Sequence, residues 1–154
     1  MQSIWQTPSV IEQTQTILRS LKHFTGRELM PGEPSAGALA EKVFHAPFVL
    51  VSHGTEADPI LNYGNAMALT LWEMSWEELT RTPSRLTAEA PIREERAKLL
   101  AAVKQHGFID NYAGIRISKN GRRFRIERAT VWNLLTPGEQ PCGQAAMFSQ
   151  WEFL

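Results

Sequence analysis

The sequence predicts an α+β fold, a five-stranded antiparallel sheet covered on one face by helices with an amphipathic helical extension ahead of it. Three stretches carry that prediction. Tyr112 to Leu135 holds two runs of alternating apolar and polar residues about Asn120-Gly121, the strongest short-range hairpin signal, because both central positions of a two-residue turn need φ > 0. Phe48 to Ser52, FVLVS, is a continuous apolar run that suits a central strand covered on both faces. Ile92 to His106 is the best amphipathic helix, with Ile92, Leu99, Leu100 and Val103 turned inward and Gly107 as its stop.

In chain order, Ser9 to Phe24 reads as a helix opened by the capping-box pattern Ser9-x-x-Glu12 and closed by Gly26. Val10, Ile17, Leu21 and Phe24 recur along one side of it. Arg27 to Gly37, with Pro31, Gly32 and Pro34, is a linker. A short helix from Ala38 to His45 stops at Pro47. Ile60 to Tyr63 is a second strand, near enough in sequence to pair with the first. Asn65 caps a helix through Glu73, and Ser75-x-x-Glu78 caps another that Pro83 ends. After the long helix and the hairpin, Thr136 to Pro141 turns the chain and Gly143 to Phe153 forms the last strand. There is no internal repeat.

A two-residue turn at Asn120-Gly121 fixes the hairpin register with Lys119 opposite Arg122. Ile117 then faces Phe124, Ile115 faces Ile126 and Ala113 faces Arg128, all on the covered side, while Arg116, Ser118, Arg123 and Arg125 lie on the wet side. Strict alternation carries Arg128, Thr130 and Trp132 under the helices as well. A buried charge is expensive, so Arg128 must meet a carboxylate (Glu73, Glu77 or Glu89), meet an anionic ligand, or escape through a bulge.

At 154 residues and 43% hydrophobic content the chain is one domain's worth. Sixteen basic residues balance sixteen acidic ones, so no global field draws nucleic acid or an anionic membrane. No apolar run approaches the roughly 20 residues that span a bilayer. The single Cys142 makes no internal disulfide, and the first residues lack a basic start and a long apolar run, so a cytoplasmic protein is expected.

The order of strand, strand, short helices, one longer helix and three antiparallel strands is that of a PAS domain. The run ILNYGNAMALTLWEMSWEEL resembles the PAS segment that leads from the second strand into the helix cluster, with Asn65 at the junction and Glu78-Leu79 ending a capped helix. More specifically, Phe48 to Trp151 resembles the MEKHLA domain, a PAS-like module at the C-terminus of some plant homeodomain transcription factors and in short stand-alone bacterial proteins. The stretches that carry this are VSHGTEADPILNYGNAMAL, the REER of Arg93 to Arg96, NGRRFRIERATVWNL and GQAAMFSQW. The resemblance implies a helical extension over residues 1–45 and a PAS-like domain over 46–154. It implies a sensing or docking module and brings no catalytic residues, so no enzyme is expected.

The expected ligand pocket, between sheet and helices, takes Arg128, Thr130, Trp132 and Gln144, with Trp72, Trp76 and Asn62 as further candidates. Trp151 completes a set of tryptophans that either stack on a ligand or fill the interior. The cofactor stays unknown. Flavin-adduct PAS proteins need a Cys inside the helix cluster, and Cys142 follows the hairpin, so that photochemistry is excluded; haem on His106 is disfavoured, since a His in a last helical turn also serves the helix dipole. No paired metal spacing occurs. His53 to Asp58, HGTEAD, is a polar turn before it is an acid and base cluster, and the basic hairpin tip reads as a solvated tip.

The expected function is a sensory or adaptor module that binds a small ligand or a protein partner, with no nucleic acid or membrane partner. With no effector segment in the sequence, output passes to another chain. Val10, Ile17, Leu21 and Phe24 have no evident seat on the sheet, which predicts a homodimer through that helix. Two rivals remain: a cone-shaped enzyme or binder of the NTF2-like kind with an acid or base deep in its pocket, and a structural docking module with a filled core.

Overall fold

The computed structural model describes residues 2–32 and 35–154; Pro34 of the linker lies outside them. A 3-10 turn, Ile4–Gln6, carries a capping box of Ser3 and Gln6 and leads into helix α1, Pro8–Thr25. This helix starts ahead of the expected Ser9 because Pro8, with its fixed φ and no N–H to satisfy, takes the first helical position behind Thr7. Gly26 ends it at φ +76°. Helix α2, Ala36–Phe44, is capped by the Ser35 side chain.

Strand β1, Val49–His53, pairs antiparallel with β2, Leu61–Gly64. Helices α3, Ala66–Trp72, and α4, Trp76–Leu79, follow, the latter with the Ser75 and Glu78 capping box that the sequence shows. Helix α5, Ala90–His106, ends at Gly107 and runs directly into β3, Phe108–Ile117. Strands β4, Arg123–Leu135, β5, Pro141–Phe148, and β6, Gln150–Phe153, complete the chain. The sheet order is β2-β1-β5-β4-β3, and β6 also pairs with β4. Thr130 faces Met147 and Glu127 faces Gln150, so β5 and β6 keep one register along β4 and are a single strand broken at Ser149.

Asn65 ties the first strand pair to the helices. Its Oδ1 accepts from the N–H groups of Leu50 (3.1 Å) and Ala68 (3.2 Å), and its Nδ2 donates to the carbonyls of Phe48 (2.8 Å) and Val43 (3.2 Å). One fully buried amide thus caps α3, pins β1 and holds the end of α2.

Helices α3 and α5 pack on one face of the sheet, where Val49, Phe124, Ile126 and Phe148 meet Leu71 and Trp72, and Val131 meets Leu99 and Val103. The opposite face also carries apolar side chains, Leu50, Trp132, Leu134 and Ala145, and α1 and α2 seat on them. Val10, Ile17 and Leu21 are buried there, and the Trp132 indole N–H donates to the Ile17 carbonyl at 3.1 Å. Burial of Ile17 and Leu21 contributes roughly 1.5–3 kcal/mol each. The expectation that this helix face is free for a second copy is therefore corrected, because the chain's own sheet covers it. Phe24, at the helix end, is half-buried and lies against Gly107.

The hairpin register is corrected by one residue. Gly121 takes φ +89° and Asn120 stays outside the positive region, so the loop is not the two-residue turn. Gly121 N–H donates to the Ser118 carbonyl (3.1 Å) and Ser118 N–H to the Arg122 carbonyl (2.9 Å), enclosing three residues, Lys119 to Gly121. Arg116 therefore faces Phe124 and Ile115 faces Arg125. Arg116 and Ser118 are buried on the helix-covered side, while Ile115 and Ile117 lie half-buried on the other.

Two outcomes follow for stability. Asn65→Ala leaves buried backbone groups of β1 and α2 unpaired and should cost about 3 kcal/mol in urea unfolding; a loss below about 1 kcal/mol would refute the tie. The Tyr63 hydroxyl is buried with no hydrogen-bond partner among the described residues, so Tyr63→Phe should unfold at the same or higher urea concentration, by up to about 1 kcal/mol.

Candidate functional site

Between the covered face and α5 lies a partly open cavity of about 60 Å³. That is several times the roughly 10–15 Å³ one ordered water needs and well below the roughly 300 Å³ of a site for a drug-sized molecule. Its walls are mostly apolar, from Val51, Leu99, Val131 and Phe148 among others. Besides Ser52 and Thr87, the polar residues lining it are His53 from β1, Trp72 from α3, Arg96 from α5, Tyr112 and Arg116 from β3, and Gln144 from β5. No Asp or Glu is among the lining residues.

Each polar group is positioned by an ordinary feature of its element. His53 continues the alternation of Val49 and Val51 along β1. Arg96 stands one and two turns before Leu99 and Val103 on the inward side of α5. Arg116 owes its place to the three-residue turn, and its guanidinium donates to the Ile115 carbonyl (2.8 Å) and the Tyr112 hydroxyl (3.3 Å). Gln144 donates to the Leu100 carbonyl (2.9 Å) and to Asn133 (3.1 Å), fastening β5 to α5 at the cavity's end. Gly143 beside it lies so close to His53 that an added Cβ would fall 2.0 Å from the His53 carbonyl oxygen.

The electrostatics are one-sided. Burial, with the nearby charge of Arg116 adding to it, pushes the Arg96 guanidinium down to about 10. Burial also lowers the His53 ring below its ordinary value; the Arg96 charge reinforces this, while the bond to Gly54 and the charge of Glu56 oppose it. His53 Nδ1 lies 2.9 Å from the Gly54 carbonyl, so Nδ1 carries the proton of the neutral ring and Nε2 is a bare acceptor. Nε2 is buried with no hydrogen-bond partner among the described residues, with Gln144 beside the ring. The Trp72 indole N–H is likewise buried and unpartnered among the described residues.

Of the residues expected to line a pocket, Gln144 and Trp72 do so. Arg128 does not: it is exposed at φ +53°, where β4 breaks its alternation and turns the charge out to water. Thr130 and Trp132 lie on the α1 side of the sheet, since the break reverses the parity that would have carried them inward. Thr130 donates to Asp110 (2.7 Å), which Arg27 also pairs with. Asn62 accepts from Ser52 (2.5 Å) on that same side, and Trp76 packs edge-on against Tyr63 at 5.8 Å. Trp151 stacks edge-on with Phe148 at 6.0 Å.

Arg96, Arg116 and His53 went unpredicted. The spacing of Arg96 with Leu99 and Val103, and the continued alternation from Val49 to His53, were signals present in the sequence. Arg116 was hidden by the turn type. The polar turn before β2 has structural work, since Glu56 accepts from the Ile60 N–H (3.2 Å) and Asp58 pairs with Arg85 (3.2 Å). The basic hairpin tip is dispersed: Lys119 pairs with Glu78, Arg123 with Glu89 (2.8 Å), and Arg122 covers the Phe153 ring.

A family model described as the MEKHLA domain matches residues 11–153, which takes in most of α1. The homeobox-leucine zipper protein ATHB-14 of Arabidopsis thaliana is 27% identical over 99% of this chain and 18% of its own length, and ATHB-9 of the same plant is 25% identical over 96% and 18%. The chain thus spans less than a fifth of the curated relatives it matches. A PAS domain of a protein from Colwellia psychrerythraea superposes with a TM-score of 0.62 at 16% identity, covering 75% of this chain and 92% of that one. A fungal LOV domain photoreceptor gives 0.58 at 14%, covering 85% and 86%. These likenesses show a PAS/LOV-type fold. A flavin adduct of the LOV kind does not fit, because α3 and α4 hold no cysteine and Cys142 packs on the α1 side.

The lowered His53 value has a consequence for stability. A ring that is harder to protonate when folded contributes stability that is complete above pH 6.5 and is lost as pH falls through the folded value beneath it. The His53 ring should titrate by NMR with a midpoint below 6.5, and His53→Gln should remove part of the acid-side fall in melting temperature. A midpoint at or above 6.5 would refute this.

Proposed function

Because the chain belongs to the MEKHLA domain family and has a PAS/LOV-type fold, we propose that it is a sensory module whose signal is a small molecule bound in the cavity between α5 and the sheet. One observation carries this reading: a small, mostly apolar cavity into which several elements send polar groups, two of which, His53 Nε2 and Trp72 Nε1, have no partner among the described residues. Buried groups of this kind are normally satisfied, so a bound species that meets one or more of them is the natural occupant.

The lining argues against the pocket enzyme of the cone-shaped kind. That chemistry needs an acid close to a base in the pocket, and Glu56, the carboxylate whose charge reaches His53, accepts from the Ile60 N–H in the turn after β1 and is not among the lining residues. A ligand here touches β1, α3, α5 and β3 together, so binding alters the packing of α5 on the sheet. We take that change to be read by a partner protein in the cytoplasm. A homodimer through α1 is not part of this reading, since its apolar side is spent on the sheet.

Native mass spectrometry of the protein purified from its own source should show a retained small molecule. Ala146→Leu, which fills the cavity from β5, should lose that mass while the protein keeps its folded spectrum. Protein that carries no adduct, together with an Ala146→Leu variant more stable than wild type, would favour a docking module instead.

A further inference from the structure

We propose that the occupant of this cavity is a small carboxylate, its charged end held between Arg96 and Arg116 and its short apolar tail against Val51, Leu99 and Val131. The inference rests on the sensory reading above and names the ligand's chemistry.

Two guanidinium groups share the cavity, and no acidic side chain stands among its lining residues. They repel each other, and with Arg116 buried and Arg96 half-buried less water remains to screen them. The carboxylates near the site are engaged elsewhere: Glu56 accepts from the Ile60 N–H (3.2 Å), Glu73 accepts from Ser118 (2.6 Å) and Glu89 pairs with Arg123 (2.8 Å). Among the described residues the Arg96 side chain makes no hydrogen bond or salt bridge. Arg116 is buried, and its two hydrogen bonds leave the rest of its five donors unspent. Clusters of buried cations without a carboxylate are costly, and an anion placed between them removes both the repulsion and the unmet donors.

The other groups set the size and shape. The Trp72 indole N–H supplies a third donor with no acceptor of its own. The neutral His53 ring presents an acceptor at Nε2 and so does not compete for the carboxylate. Apolar walls over most of the remaining surface, and a volume of about 60 Å³, fit a few carbon atoms behind the charged group rather than a polyanion.

The test is a ¹H–¹⁵N NMR titration of the whole chain with sodium propionate, with propionamide as the neutral isostere and with inorganic phosphate, all at constant ionic strength. Propionate should move the Trp72 indole resonance saturably, and propionamide and phosphate should bind at least about tenfold more weakly. Arg96→Met should weaken propionate by about tenfold or more while the spectrum stays folded, since Arg96 supports no hydrogen bond of the fold. Arg96→Lys, which keeps the charge and loses the fork, should fall between the two. Propionamide equal to propionate, phosphate tighter than propionate, or an Arg96→Met variant with unchanged affinity each overturns the carboxylate. A neutral molecule retained in native mass spectrometry with propionate silent overturns the carboxylate and leaves the sensory reading standing. No retained molecule and no response to any probe removes both.

Discussion

The turn from Lys119 to Gly121 decides which side chains of β3 lie beneath the helices, and the rest of the site follows from it. A strand has a period of two, so a loop of three residues rather than two exchanges every position of β3 between its faces. Ser118 closes the loop twice over, its backbone pairing with Arg122 and its hydroxyl accepting from the Arg122 N–H (3.0 Å). Ser118 also donates to Glu73 and Lys119 N–H donates to the Trp72 carbonyl (3.0 Å), so the loop is clamped to the end of α3. With that register, Arg116 goes inside and Ile115 and Ile117 go out.

Further irregularities let one sheet serve two helical layers. Asn111 on β3 (φ +54°) and Arg128 on β4 (φ +53°) leave the extended region at neighbouring heights, and Ser149 interrupts the strand beside them. Below this line Phe124 and Ile126 pack against α3. Above it, Val131 packs against α5 while Trp132 and Leu134 pack against α1. A residue such as arginine tolerates the left-handed conformation only at some cost, offset here by releasing its charge to water.

Much of this was legible from residues alone. Asn65 and the Ser75 box marked helix starts through local hydrogen bonding, Gly26 and Gly107 marked their stops, and the element order carried the family. What stayed hidden depended on choices that local pattern does not make. Asn-Gly is compatible with a two-residue loop and, with glycine alone in the left-handed region, with a three-residue one. The inward charge of Arg128 allowed a bulge as one of three outcomes, and the alternating run does not choose among them. The seat of α1 was there to be read, because the consecutive apolar residues Phe48 to Val51, and the pairs Val131-Trp132 and Leu134-Leu135, already demanded cover on both faces. Arg96 was visible as a resemblance and not as a charge in step with Leu99 and Val103.

Strand β4 places Val131 and Trp132 side by side along the backbone and on opposite surfaces of the sheet. Val131 is part of the cavity floor, and the Trp132 indole holds the backbone of α1 at Ile17. A close-packed interior hands strain on instead of absorbing it. Whatever presses on the cavity floor therefore tilts the footing of the N-terminal helix on the far surface, and the strand works as a short crossbeam between an inlet and an outlet.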